Sequence, residues 1–278
     1  HPKGGGERMK NRRKSAVCLL IFACVLLLAA ALAGGLAGEP AGAADFTRKN
    51  LPPCPSHPFG TDRMGRDMLA RTLAGLSLSV RIGALTAVLS GMIALTLGAA
   101  SAVFGGWVDA LISWLIDLVL GIPHILLMIL VSIACGKGAL GVTAGVALTH
   151  WPSLARLVRS EVLQLKQAPW LQASRRLGAP GVLVRHLPPH LLPQLLTGLI
   201  LQFPHAILHE AGVTFLGFGL SPEQPAIGVI LEESMGYLAA GRWWLALFPG
   251  LSLAGVVGLF ALAGERLRLL LSPATAQE

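Results

Sequence analysis

Long stretches without a charged side chain recur along this chain, at residues 15–38, 82–108, 118–136, 138–155, 186–209 and 243–264. A bilayer core of about 30 Å takes roughly 20 residues of helix to cross, and lipid supplies no partner for a free backbone N–H or C=O. Six transmembrane helices are therefore predicted, built mainly from Leu, Ala, Val and Ile, with Gly and other small residues where two backbones could come close.

Composition supports that pattern. The 278 residues are 54% hydrophobic and 13% charged, with a mean hydropathy of +0.67; an ordinary soluble domain carries about a quarter charged residues. The same figures exclude a disordered polymer. Four cysteines, Cys18, Cys24, Cys54 and Cys135, have no metal-ligand spacing and suggest no disulfide framework. The net charge of +8 comes from clusters, with six basic residues in the first fourteen and six more between Arg156 and Arg185. No aromatic side chains interleave them as a base-stacking groove would require, so no nucleic-acid partner is expected.

Basic residues are retained on the cytoplasmic side of a span. This places the N-terminus, the connection after the fourth span and the C-terminus, with Arg266 and Arg268, inside. The segment before the second span runs against the rule, since Arg48, Lys49, Arg63, Arg66 and Arg71 are only partly offset by Asp45, Asp62 and Asp67. The first apolar run also fits a secretory signal, with a basic start and Ala-Gly-Ala-Ala at 41–44. Its apolar part exceeds the roughly 7–15 residues of a signal core, so an uncleaved first helix is the simpler account. Met9 offers a natural start, which would make residues 1–8 foreign to the native chain.

The cytoplasmic connection carries a short helix with both ends marked. Pro169 suits the first helical position, Gly178 the left-handed residue past the end, and Pro180 blocks continuation. Trp170, Ala173, Ser174 and Leu177 share one face at i, i+3, i+4 and i+7, with Arg175 and Arg176 beside it. Such a face suits either docking on another protein or lying on anionic headgroups.

At this point Gln172-Ala173-Ser174, followed after three residues by Gly178, resembles the cytoplasmic "EAA" loop of binding-protein-dependent ABC importer permeases. The string WLQASRRLGAPGVLVRHLPPHLLPQLL is similar to the version in the peptide and nickel permease family. So are HPFGTDRMGRDMLARTLAGLSLSVRIG at 57–83, GGWVD at 105–109, ALTHWPSLARLVRSEV at 147–162 and HEAGVTFLGFGLSP at 209–222. The resemblance covers roughly residues 57–273. Gln172 stands where the motif has Glu and Ser174 where it has a second Ala, which puts the polar contact at 172 in doubt.

The resemblance implies an all-α integral membrane protein with the type I ABC importer permease fold, in a bacterial inner membrane with both termini cytoplasmic. It divides the chain into a basic N-terminus at 1–14, a first transmembrane helix at 15–38 and an external segment at 39–74. A permease core follows at 75–273, with five further helices and a coupling loop at about 160–185, and a tail at 274–278. Trp170, Gln172, Ala173, Ser174, Leu177 and Gly178 would dock on a separate ATPase subunit. The implied partners are a homologous permease subunit, forming a heterodimer, two ATPase subunits and an external solute-binding protein. The chain has no G-x-x-x-x-G-K-[ST] loop, so ATP and Mg would be used by the ATPase partners and no cofactor is expected on this chain. No catalytic residue is assigned.

Polar side chains at membrane depth are costly and tend to face a bundle interior or a path. His124, His150, His205 and His209 fall there, and the i, i+4 spacing of His205 and His209 sets both imidazoles on one helical face beside Glu210. His150, His205, His209 and Glu210 are thus candidates for a substrate path, with His205 and His209 as transient metal ligands; hydrogen bonding between helices is the plainer reading of each. Glu210 and Asp117 also fit interfacial partners of Arg or backbone. The resemblance of HAILHEAG to nickel permeases makes nickel or a metal chelate the expected cargo, with dipeptides or oligopeptides as the alternative. An intramembrane metalloprotease would need H-E-x-x-H, and Ala206 stands where its Glu should be. A self-contained carrier would have no use for a docking helix.

Overall fold

Where a helix starts and stops follows from local chemistry even when its middle is uniformly apolar. The computed structural model describes residues 17–19, 21, 22, 24, 25, 28, 29, 32–35, 41–176 and 182–271. Eight helices of eight or more residues run through the two long stretches: α1 (Met68–Phe104), α2 (Gly106–Gly121), α3 (His124–Ala134), α4 (Gly138–Gln167), α5 (Pro169–Arg176), α6 (Val182–Phe215), α7 (Ile227–Leu238) and α8 (Trp244–Leu271). The described residues between 17 and 35 are also helical, and Gly34 packs where a Cβ would overlap the Leu73 carbonyl oxygen of α1.

Among the described residues three segments are long and apolar enough to cross a membrane: Met68–Phe104, Leu191–Phe215 and Trp244–Arg268. The pair α2 and α3 makes a fourth if it crosses as one unit. By length and composition the count of six is therefore not reproduced among the described residues. The predicted helix at 118–136 is two helices meeting at 99°. Pro123 causes the break: it has no N–H to give and pushes Ile122 into an extended conformation, φ −89°, ψ 138°. The predicted span at 138–155 lies within the longer α4, whose polar His150 and Arg156 dilute its apolarity. α4 ends where Ala168 precedes Pro169 and turns extended.

Two other expectations change. The second span begins at Met68 rather than 82, because the Asp67 carboxylate accepts from the Ala70 N–H at 2.8 Å and caps the helix. The stretch at 217–242, which no predicted span covers, contains α7, with Ile227, Gly228, Val229, Ile230 and Ser234 buried.

α1 is 37 residues long, about 55 Å at 1.5 Å per residue, and it packs most extensively on α4. Four apolar clusters lie along it in order. Met68 and Leu76 meet α6, α7 and α8; Ile82 meets α3, α4, α6 and α7; Ala94 meets α2 and α4; Ala102 meets α4 and α6. α1 and α4 come close at Gly98, where a Cβ would stand 2.5 Å from the Ala155 carbonyl oxygen. Large apolar residues on the opposite faces, such as Leu85, Val88, Leu126 and Leu130, are exposed, as expected of surfaces that meet lipid or another subunit.

Replacing Gly98 with Val forces backbone apart from backbone, so a loss of about 1–3 kcal/mol or more is expected. Thermal unfolding of the detergent-solubilised protein measures it, and an unchanged Tm would contradict the α1–α4 contact.

Candidate functional site

The functional features are arranged along α1: a charged network at its N-terminal end, a histidine cluster beside its middle, and a second set of ionic contacts next to α5 at its C-terminal end.

At the N-terminal end, the residues Gly60-Thr61-Asp62 and Gly65-Arg66-Asp67 build a folded cap. Asp62 has a fully buried side chain that accepts from the backbone N–H of Met64 (2.8 Å) and Arg66 (2.9 Å). Its other oxygen accepts from Arg66 Nε at 2.6 Å and Arg71 Nη1 at 3.0 Å. Arg71, also buried, donates on to Glu233 of α7 at 2.9 Å. The Arg63 N–H donates to the Tyr237 hydroxyl at 3.3 Å, and burial pushes that phenol's pKa up. Gly65 has φ +74°, and a Cβ there would overlap the Asp45 carbonyl oxygen. The sequence reading quoted this motif but missed that its charges close on one another and on α7.

At the C-terminal end, Arg159 of α4 holds Asp109 of α2 in a two-pronged contact, Nε at 2.7 Å and Nη2 at 2.6 Å. The Ser101 hydroxyl donates to the same carboxylate. Lys166 Nζ donates to the Ala102 carbonyl at 2.8 Å, satisfying an end group of α1. Asp117 pairs with Arg156 at 2.5 Å, both exposed.

α5 follows directly. Leu171 is fully buried and pins it to the bundle, whereas Gln172 and Ala173 are exposed. Gln172 Nε2 donates to the Gln167 carbonyl at 3.3 Å, so it turns back on its own chain. Of the predicted apolar face Ala173 is thus exposed, while Leu171, which is off that face, is buried. Leu177 and Gly178 lie outside the described residues, and so do the side chains of Trp170 and Ser174.

The histidines are sorted differently from the sequence reading. His150 Nε2 lies 3.0 Å from His209 Nδ1, and the third member is His124, the first residue of α3. The ring centroids are 4.7 Å apart for His124 and His150, 4.8 Å for His124 and His209, and 5.0 Å for His150 and His209. His205, one turn before His209, is exposed and stays outside this group. Glu210 is fully buried; it accepts from the Thr214 hydroxyl at 3.1 Å, and its second oxygen has no hydrogen-bond partner among the described residues. Spacing within α6 could pair only residues of α6. The signal that adds His124 is its position just after Pro123, where the chain bends towards α4.

A family model described as the binding-protein-dependent transport system inner membrane component matches residues 93–277. The dipeptide transport system permease protein DppC of Bacillus subtilis is 28% identical over 268 residues, covering 96% of this chain and 84% of that protein. A putative peptide transport system permease protein of Brucella suis is 34% identical over 268 residues, covering 96% and 90%. The oligopeptide transport system permease protein OppC of Mycobacterium tuberculosis is 32% identical over 268 residues, covering 95% and 92%.

Removing one member of the buried charge network leaves the others uncompensated. Asp62→Asn is expected to cost about 3–5 kcal/mol, and Arg71→Met placed with it should recover part of that. Thermal unfolding of the two variants checks both statements; equal Tm for wild type and Asp62→Asn would show that the network does not bear on stability.

Proposed function

The chain belongs to the family of binding-protein-dependent transport system inner membrane components, and from that premise we propose that it forms half of the path of an ATP-driven peptide importer. The observation that carries the cargo is the nearly full-length similarity to permeases named for dipeptides and oligopeptides. Nickel, the cargo expected from HAILHEAG, has no support from the names of these relatives.

In this reading a homologous permease subunit supplies the other half of the path, and two ATPase subunits dock on the side of the membrane that carries α5. An external binding protein delivers the peptide at the far end, near the Asp62 network. Two features favour this arrangement. α5 and the cap sit at opposite ends of α1, and the basic residues Arg156, Arg159 and Lys166 cluster at the α5 end, as cytoplasmic flanks do. The exposed, small Ala173 leaves room for an ATPase surface to close on α5, and closure would bias a two-state bundle only through contacts that differ between its states. Both termini then lie in the cytoplasm.

The complete assembly, reconstituted in liposomes with its ATPase subunits and binding protein, should take up a labelled dipeptide or oligopeptide only when ATP is supplied. Ala173→Trp and Gly178→Leu should each reduce uptake by about tenfold or more, an energy of about 1.4 kcal/mol per factor of ten, and should loosen ATPase association. Uptake without ATP, or wild-type uptake in Ala173→Trp, would overturn this reading.

A further inference from the structure

Three helices distant in sequence converge on one point inside the bundle, and each contributes an imidazole there. The available ring nitrogens of His124, His150 and His209 all lie within 4.8 Å of one another. We propose that these three histidines form a binding site for one divalent transition-metal ion of the borderline class, Co2+, Ni2+ or Zn2+, with the remaining coordination position open. The inference goes beyond the importer reading and does not depend on which solute is carried.

The donor set suits that class, since neutral imidazole is a good ligand for these ions. Its orientation is already arranged. His150 Nδ1 is 2.9 Å from the Val146 carbonyl; an N–H donated there leaves the Nε2 lone pair directed into the cluster. A backbone carbonyl holding the far nitrogen of a ligating histidine is the usual second layer of a metal centre. Gln202 of α6 donates from Nε2 to the His150 carbonyl at 2.7 Å, which fixes α6 against α4 two turns from His209. Without a metal, one proton shared along the 3.0 Å line between His150 Nε2 and His209 Nδ1 holds those two rings. A metal ion takes the place of that proton, and His209 then carries its own proton on Nε2 as a neutral ligand.

Packing alone accounts for the pair but not for the third ring. Among the described residues His124 touches the other two only through ring contacts and makes no hydrogen bond. Its ring nitrogen is therefore available beside the other two, and a metal ligand bond would give it a partner. Three nitrogens about 2.1 Å from a tetrahedral ion stand about 3.4 Å apart, so a separation of 4.8 Å closes by about 1.4 Å. α3 is the element free to make that adjustment, because it follows the Pro123 break. His124 and His209 are only half-buried, so the site is not sealed. Three protein ligands with one open position is the arrangement of a site that exchanges a ligand, in contrast to a closed structural centre.

The test uses the full chain without an added histidine tag, in lipid nanodiscs after chelator treatment, titrated with Co2+ alone. One ion per chain, with the visible absorption of nitrogen-ligated tetrahedral Co2+ and displacement by Zn2+ or Ni2+, is expected. His124→Gln and His150→Gln should each weaken binding about a hundredfold or more, while His57→Gln, whose histidine bonds Asp67 elsewhere, should bind as wild type. X-ray absorption of the Zn2+-loaded wild type should show three imidazole nitrogens, a readout that does not depend on any variant folding. No bound ion, fewer than three imidazoles, or wild-type affinity in the His124→Gln and His150→Gln double variant would overturn the proposal. ATP-dependent peptide uptake by a chain that binds no metal would sink this site and leave the importer standing; metal binding by a chain that moves no peptide would do the opposite.

Discussion

The close contact of α1 with α4 is the constraint from which the other placements follow. Lipid tails are as apolar as Leu, so two helices gain little by hiding apolar surface from lipid; they gain by fitting closely. A missing side chain at Gly98 lets the α4 backbone approach at Ala155, and Ala94 and Ala155 are both fully buried beside it. Once those two helices are joined, each of the four apolar clusters has a residue of α1 in it. α7 and α8 gather at the N-terminal half and α2 at the C-terminal half, while α6 runs along both. The ionic contacts lie at the two ends of this axis, where charge is cheaper than at membrane depth.

The order of motifs along the chain acquires a physical sense from that arrangement. GTDRMGRD is a cap that reaches α7 through Arg71 and Glu233. GGWVD and LARLVRSEV are two halves of one contact, Asp109 with Arg159. HEAGVTFLGFGLSP closes on α3 and the start of α4: the Ser132 hydroxyl donates to the Phe218 carbonyl at 2.8 Å, and the Gly138 N–H donates to Gly219 at 3.0 Å. These four strings, among those that carry the family resemblance, are thus each part of a long-range contact.

Hydropathy made the apolar middles of α1, α6 and α8 legible, because a run of Leu, Val and Ala states its own preference. Ends were harder. The Asp67 cap and the Pro123 break were both present as residue types, yet an apolar run is read by averaging, and averaging passes over a single proline. α7 was missed because twelve residues containing Glu232 and Glu233 look like a polar loop until Arg71 is known to face Glu233. The short helix α5 was legible from Pro169 onward, but its buried anchor is Leu171, a residue off the predicted face. For the histidines, i, i+4 spacing correctly sets His205 and His209 on one helix face. Which of them meets α4 depends on how α6 is rotated, and that is decided by packing between helices.

The short helix α5 and the histidine cluster are joined through one long helix, α4. From His150 to Gln167 the α4 helix runs about 26 Å at 1.5 Å per residue, and Ala155, Val158, Val162 and Leu165 along it are buried. A helix held on one face over that length moves as a unit rather than bending at its exposed side, so a displacement imposed on α5 would arrive at His150 with little loss. Only Pro152 interrupts the ladder of hydrogen bonds on the way, by withholding an N–H from Leu148. It lies between the Arg159 contact and the ring of His150. α3, on the other side of the cluster, is joined to α2 through the 99° bend at Pro123. The three imidazoles therefore sit between a long lever and a hinged short helix, and a ligand that draws them together would oppose any motion that separates α3 from α4. In an importer driven from the α5 side, occupancy of the cluster and the position of the lever are linked in both directions, since a ligand that favours one arrangement is itself bound more tightly by it.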